Sequence, residues 1–224
     1  MSIGEETGDT WLKGMVYTSH GTSCYFKGLT DEAENNLLHA LAFCEKTGHL
    51  SWGGQAAGFL GHIYYDKGEY EKAEHYYGKA ISILKPGRIM PSWINMWEVL
   101  LSRAKILNRS QVPDLNRLFK YHEKVKVKIL EGWTARYIGE IMLNMGYKFA
   151  TDADKWIRRA IEADKRNGTM WLLANDYVVY ARLTAQKDNQ SKAKENLAKA
   201  IDIFKECGAD GWVEKYEKEL AELS

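Results

Sequence analysis

The side chains best suited to nucleophilic, acid–base or metal chemistry are six histidines and three cysteines. They are His20, His39, His49, His62, His75 and His122, with Cys24, Cys44 and Cys207. No two histidines form an H-x3-H or H-E-x-x-H pattern, and no two cysteines form C-x-x-C, which are the spacings typical of zinc sites. Three cysteines far apart in the sequence are typical of a protein whose thiols stay reduced. We therefore expect no metal ion, no disulfide and no other cofactor.

Patterns for phosphate binding or catalysis are missing as well. The sequence has no G-x-x-x-x-G-K-[ST] loop, and its glycine-rich stretch at 53–61 falls inside a predicted helix, where glycine favours close helix packing. The carboxylates are scattered over Lys/Glu-rich stretches that are typical of solvated helix faces. The sequence therefore predicts a protein that binds and does not catalyse.

The charge balance excludes two classes of partner. Lys and Arg total 31 and Asp and Glu total 30, so the net charge is +1 and no global field attracts nucleic acid or an anionic membrane. The basic run at 124–128 is predicted to be helical, with lysines on several sides. No apolar run approaches the roughly 18 residues of a membrane span, and no signal peptide is visible. We expect a cytoplasmic protein.

An internal repeat of about 40 residues organises the chain. Six tryptophans recur 38 to 41 residues apart, at Trp11, Trp52, Trp93, Trp133, Trp171 and Trp212. An Ala-x3-apolar-x2-Ala pattern begins at Ala33, Ala73, Ala153 and Ala193, with a degraded copy from Leu115 to His122. Positions i, i+4 and i+7 share one helix face, so each pattern predicts a helix packed closely on its neighbour. The glycines at 48, 168 and 208 follow these patterns and predict helix ends.

Each repeat is therefore expected to contain two helices, the first beginning near its Trp and the second carrying the Ala pattern. The expected units are about 6–48, 49–88, 89–130, 131–168 and 169–208, with a capping helix over 209–224. Within them a helix is predicted over 113–130, and Thr30, Thr151 and Ser191 are predicted to cap second helices. The closing helix is amphipathic, whereas the first residues carry no comparable cap, so we expect the natural chain to continue upstream.

These residues resemble the tetratricopeptide repeat, whose pattern is W-x2-L-G-x2-Y, then Ala, an aromatic residue and Pro. The second unit matches best, with Leu60-Gly61-x2-Tyr64 followed by Ala73, Tyr77, Ala80 and Pro86. The third unit departs most, with Ser102-Arg103 in place of Leu-Gly. The long period and the ending from 194 to 212 resemble the C-terminal region of bacterial nucleotide-cyclase and ATPase signalling proteins. The resemblance implies an all-α, right-handed α-solenoid of about five hairpins plus a closing helix, about eleven helices in all.

A solenoid of this kind binds on the groove lined by its first helices. The inward positions expected here are Tyr25, Phe26, Gln55, His62, Tyr65, Asp66, Trp97, Trp133, Arg136, Glu140, Asn175 and Arg182. Aromatic residues and Arg are enriched at binding hot spots. The alternative is that part of this set packs between repeats.

The leading functional hypothesis is a scaffold that binds a protein or peptide in this groove, with the sensor or regulatory arm of a larger signalling protein as its implied setting. The first alternative is self-association as a homodimer through the first helix. The second is an enzyme whose site has no recognisable motif.

Overall fold

The computed structural model describes residues 9–223 and contains eleven α-helices in that range. Their bounds are α1 Thr10–Lys27, α2 Thr30–Thr47, α3 Leu50–Asp66, α4 Tyr70–Leu84, α5 Pro91–Leu107, α6 Leu115–Glu123, α7 Ile129–Asn144, α8 Ala150–Asn167, α9 Met170–Gln186, α10 Gln190–Glu206 and α11 Asp210–Glu222. A short 3-10 helix, Tyr147–Phe149, precedes α8. No strand occurs in the described range. The predicted all-α fold of helical hairpins is confirmed.

Successive helices pair as hairpins, α1 with α2, α3 with α4, α7 with α8 and α9 with α10, and each hairpin packs on the next. The short α6 makes a smaller contact with α5, so α5 also packs directly on α7. Every Ala of the four complete patterns is fully buried, as at Ala33 and Ala73. None of the helices in the described range is long and apolar enough to cross a bilayer.

In three of the hairpins a glycine on the first helix receives the large residue of the Ala pattern, and this contact explains the spacing. A Cβ added at Gly61 would lie 2.6 Å from the Tyr77 ring, and one at Gly139 would lie 2.7 Å from Ile157 Cγ1. Gly21 stands in the same relation to Leu37. The two helices of such a hairpin can approach closely because the glycine of the first helix has no side chain, and the apolar residue of the second helix fills the space beside it.

Several predicted boundaries are wrong in informative ways. The helix predicted over 113–130 stops at Glu123, and residues 125–127 are neither helix nor turn. Alternating β-branched Val and Lys disfavour helix there, and the Lys126 amide donates instead to Ser92 Oγ at 3.0 Å. The residues predicted as caps lie inside their helices: the N-cap positions are Leu29, Phe149 and Asn189.

The predicted helix ends at Gly48, Gly168 and Gly208 are confirmed, because these glycines have φ of 76°, 69° and 63° immediately after α2 and α8 or just beyond α10. The tryptophan period is confirmed as well. Each Trp lies in the first turns of a first helix or of α11. Consecutive ones meet in pairs, Trp11 with Trp52 at 5.9 Å and Trp171 with Trp212 at 5.8 Å between ring centroids.

The array curves until its last helix contacts its first. Trp212 Nε1 of α11 donates to the carbonyl oxygen of Tyr25 in α1 at 2.9 Å. Beside this bond, Gly28 and Gly211 pass so closely that a Cβ on Gly28 would lie 2.6 Å from the Trp212 nitrogen. We call this contact between α1 and α11 the closing seam. It places α1, α3, α5, α7, α9 and α11 around a common centre.

Candidate functional site

The helices around the centre enclose one cavity of about 520 Å³, with lining residues from all six of them. Its exposed edge includes Lys67, Asn144, Gln186 and Lys215. Lys67 directly follows α3, and Asn144 and Gln186 are the last residues of α7 and α9. The mouth therefore lies at the C-terminal ends of α3, α7 and α9 and beside the first half of α11.

Eight of the twelve residues predicted to face a groove line this cavity. They are Tyr25, His62, Tyr65, Asp66, Arg136, Glu140, Asn175 and Arg182. They come from four of the five repeats, and closure of the array brings them within reach of one ligand. Their role in binding stays a prediction.

The other four lie elsewhere. Trp97 and Trp133 are 0% and 1% exposed, and both pack against His62 beneath the cavity, so they belong to the core and not to a groove. Phe26 packs edge-on against Trp171 at 4.8 Å. Gln55 and Phe26 line a separate shallow depression beside α1. The positions of Trp97 and Trp133 were mispredicted because the tight curvature turns their part of the inner face into packed interior.

Arg103, absent from the predicted set, is central to the cavity wall. Its Nη2 donates to Glu140 Oε1 at 2.8 Å, and Tyr65 OH donates to the same oxygen at 3.2 Å. The guanidinium lies 3.4 Å from the Tyr65 ring centroid, a cation–π contact. The sequence did carry a signal, because Arg103 stands where the repeat pattern expects glycine.

This cluster leaves two buried polar atoms without a hydrogen-bond partner among the described residues, Arg103 Nε and Glu140 Oε2. Both residues are more than nine-tenths buried, and both line the cavity. Burial alone would raise the pKa of Glu140, but the charge and hydrogen bond of Arg103, together with the charges of Arg182 and Arg136, outweigh burial and hold this pKa below its usual range. The pair is therefore ionised at neutral pH, and it keeps one donor and one acceptor that have almost no accessible surface and no partner among the described residues.

A second buried ion pair fixes the wall between α7 and α9. Arg136 Nη1 donates to Asp176 Oδ1 and to the Leu172 carbonyl oxygen, both at 3.0 Å. Burial raises the pKa of Asp176 well above its usual value against the opposing effect of Arg136, and nearby Asp164 raises it further. Asp164 is also buried with a raised pKa. One guanidinium therefore faces two carboxyls that resist joint ionisation.

At the mouth, Asp66 of α3 faces Lys215 of α11. Tyr25 OH donates to Asp66 Oδ2 at 2.9 Å, and burial raises the pKa of Asp66 despite this bond and the Lys215 charge. Lys215 forms no ion pair with any described residue, and its ammonium lies 4.9 Å from the Trp212 ring centroid. Arg182 pairs instead with Glu219 at 3.1 Å.

The floor is aromatic and uncharged. His62 stacks on Trp133 with ring centroids 5.3 Å apart and on Tyr25 at 5.6 Å. Burial, with the nearby Arg103 and Arg136 charges, lowers the pKa of His62 well below its usual value, so the ring is neutral at physiological pH. Charged walls above an aromatic floor suit a ligand with both polar groups and a carbon surface.

Comparison with known proteins relates part of this chain to a known repeat. Residues 14–85 match the family model described as Tetratricopeptide repeat, so this part of the chain carries tetratricopeptide repeats. The match supports a scaffold that works by interaction. A sequence comparison with curated proteins gives no match.

One solved structure shares the fold over nearly the whole chain. It is the crystal structure of a Signal Transduction ATPase with Numerous Domains (STAND) protein with a tetratricopeptide repeat sensor from Pyrococcus horikoshii. The TM-score is 0.53 and the sequence identity 19%, over 92% of this chain and 35% of that chain. This chain thus corresponds to about a third of that protein.

Proposed function

We propose that this chain is a regulatory binding module that takes an acidic loop or chain end of a protein partner into its central cavity. The observation that carries the proposal is the pair of buried, unpartnered atoms on the cavity wall, Arg103 Nε and Glu140 Oε2. Buried polar groups are normally hydrogen-bonded, and an unpaired one costs about 1–3 kcal/mol. A ligand that supplies an acceptor and a donor satisfies both atoms if the two side chains turn towards the cavity when it binds.

The cavity's size and charge support an acidic ligand of limited length. A volume of about 520 Å³ lies within the range of roughly 300–1,000 Å³ typical of ligand pockets. Five cationic side chains line it against two carboxylates, and Lys215 is the cation without an ion pair to the described residues. An extended peptide running along an open groove fits less well, because the closing seam joins the two ends of the inner surface.

A sensor role is the natural setting for such a site. The ligand would contact α3, α5, α7 and α9, while Lys215 and Tyr216 bring α11 to the same cavity. A ligand that bridges α11 to the other helices stabilises the closed array, and this population shift can be transmitted to whatever the module is attached to. The similar archaeal protein, whose tetratricopeptide repeats are described as a sensor, supports the same arrangement.

The experiment is capture of partners from lysate by the immobilised chain, with each capture quantified for the wild type and two variants. Lys215→Glu reverses the unpaired cation at the mouth, and Lys192→Glu makes the same change on the outer helix α10. We expect Lys215→Glu to lose the specific partner and Lys192→Glu to keep it. Equal recovery by both variants would place binding outside the cavity.

Self-association through the first helix stays a second proposal, favoured by Trp11. Half of this side chain is exposed beside Trp52, which leaves an apolar surface on α1. Sedimentation velocity at increasing concentration tests it, with Trp11→Ala as the variant that should remain monomeric. A wild-type protein that stays monomeric throughout would remove this proposal.

A further inference from the structure

Three side chains with metal-binding atoms converge on the first hairpin, away from the central cavity. His20 and Cys24 lie one turn apart on α1, and Glu32 lies in the first turn of α2. One ligand atom from each lies within 4.8 Å of the other two. His20 Nε2 and Glu32 Oε1 are 4.0 Å apart.

We propose that His20, Cys24 and Glu32 bind one zinc ion, with water as the fourth ligand. Zinc takes imidazole nitrogen, thiolate sulfur and carboxylate oxygen at about 2.0–2.3 Å in tetrahedral geometry, which sets the ligand atoms roughly 3.3–3.8 Å apart. The present separations, all within 4.8 Å, exceed this by at most about 1.5 Å. The fourth position faces solvent because His20 and Glu32 are both about half exposed.

The exposure of two of the three ligands suits this adjustment. Cys24 is 5% exposed and anchored in the hairpin, so it fixes where the ion sits. The side chains of His20 and Glu32 are 56% and 53% exposed, so both can rotate towards the ion without disturbing the core. The sequence patterns considered above require two ligands of the same kind, and for this reason they miss the mixed His-x3-Cys pair on one helix face.

The repeat itself does not require these residues. In the second unit, the corresponding positions hold Leu60, Tyr64 and Lys72, of which Leu60 is fully buried. In the fourth unit they hold Ile138, Met142 and Asp152. The equivalent positions of these units therefore build the same hairpin without three zinc-type ligands, and packing does not explain their coincidence in the first.

Cobalt(II) is the probe, because a cobalt–thiolate bond gives a charge-transfer absorption that reports the cysteine directly. Cys207 is an exposed free thiol, so every measurement uses the Cys207→Ser background. We expect one cobalt per chain, displaced by zinc, with the charge-transfer band abolished by Cys24→Ser. Absence of the band in the background protein would overturn the proposal.

Because Cys24 is buried, its variant could fail to fold, and the exposed ligands provide the decisive comparison. His20→Ala and Glu32→Gln should each weaken cobalt binding at least tenfold, while His39→Ala, which removes an exposed histidine from the same hairpin, should not change it. Equal cobalt affinity in all three variants would refute the site. This outcome would leave the central cavity and its partner untouched.

Discussion

The closing seam gives the sharpest prediction, because replacing Gly211 by Ala should open it. A Cβ on Gly211 would overlap the carbonyl oxygen of Gly28 and lie 2.7 Å from its carbonyl carbon. Both atoms are backbone, so no side chain can rotate away. The first turn of α11 must move from α1 for the variant to fold.

The expected loss of stability can be bounded from the contacts at the seam. Overpacking typically costs about 1–3 kcal/mol. If the seam separates, Trp212, now 4% exposed, loses burial worth about 1.5–3 kcal/mol and its hydrogen bond to Tyr25, worth about 0.5–1.5 kcal/mol. Ala gains up to about 1 kcal/mol in helix propensity over Gly. We therefore expect Gly211→Ala to destabilise the protein by about 1–3 kcal/mol.

Gly78→Ala is the matched control. Gly78 lies within α4, and a Cβ there meets nothing within 4 Å. The same substitution should therefore stabilise the protein by about 0.5–1 kcal/mol. Urea unfolding followed by tryptophan fluorescence measures both free energies, and small-angle scattering should show an expanded particle for Gly211→Ala alone. If Gly211→Ala matched Gly78→Ala in stability and scattering, the seam would not be a close backbone contact.

Further results are expected for one hairpin contact and for the two buried ion pairs. Gly61→Ala should lower the free energy of unfolding by about 1–3 kcal/mol, because its Cβ meets the buried Tyr77 ring; urea titration measures this. Arg136→Met should cost about 3–5 kcal/mol in the same assay, since it leaves buried carboxyls without their cation, whereas Asp176→Asn should cost less at pH 7 because Asp164 remains near the Arg136 charge. The pKa of Asp176 is higher in the folded state than in the unfolded state, where it is near 4, so this group destabilises the folded protein at neutral pH. Lowering the pH towards 4 should remove this destabilisation in the wild type and have no such effect in Asp176→Asn. The lowered pKa of Glu140 has the opposite effect, because it stabilises the folded protein. This stabilisation is present above the unfolded-state pKa and is lost as the pH falls through the folded-state pKa. In unfolding curves measured over a series of pH values, Glu140→Gln should lack this dependence.

The hairpins could be predicted from sequence because local spacing determines them. The Ala pattern at Ala73 and Ala80 identifies a helix face that must pack closely, and Gly61 supplies the facing gap. The helix predicted over 113–130 is longer than α6, because the degraded third copy of the Ala pattern retains little of this spacing. The contact of Lys126 with Ser92, which holds the chain out of helix, joins residues 34 apart and leaves no local trace.

The cavity was predictable only in part because it depends on curvature. Side-chain packing sets the small rotation between each repeat and the next. The total rotation over all repeats determines whether the inward residues face an open groove or a closed centre. Arg136 and Glu140 were found from their register on a first helix. The sequence does not identify Lys215, because it predicts α11 as a capping helix with a charged outer face, whereas closure of the array turns one side of α11 towards the cavity.

The closing seam also changes how this molecule should unfold. In an open solenoid each repeat contacts only its neighbours, so terminal repeats can fray one after another at low cost. Here the hydrogen bond from Trp212 to Tyr25 joins residues 187 positions apart, and α1 cannot peel away without exposing the core of the last hairpin. Unfolding of α1 or of α11 alone would therefore also destabilise the helices between them. The protein should consequently lose its structure in one concerted transition, at the price of slower folding.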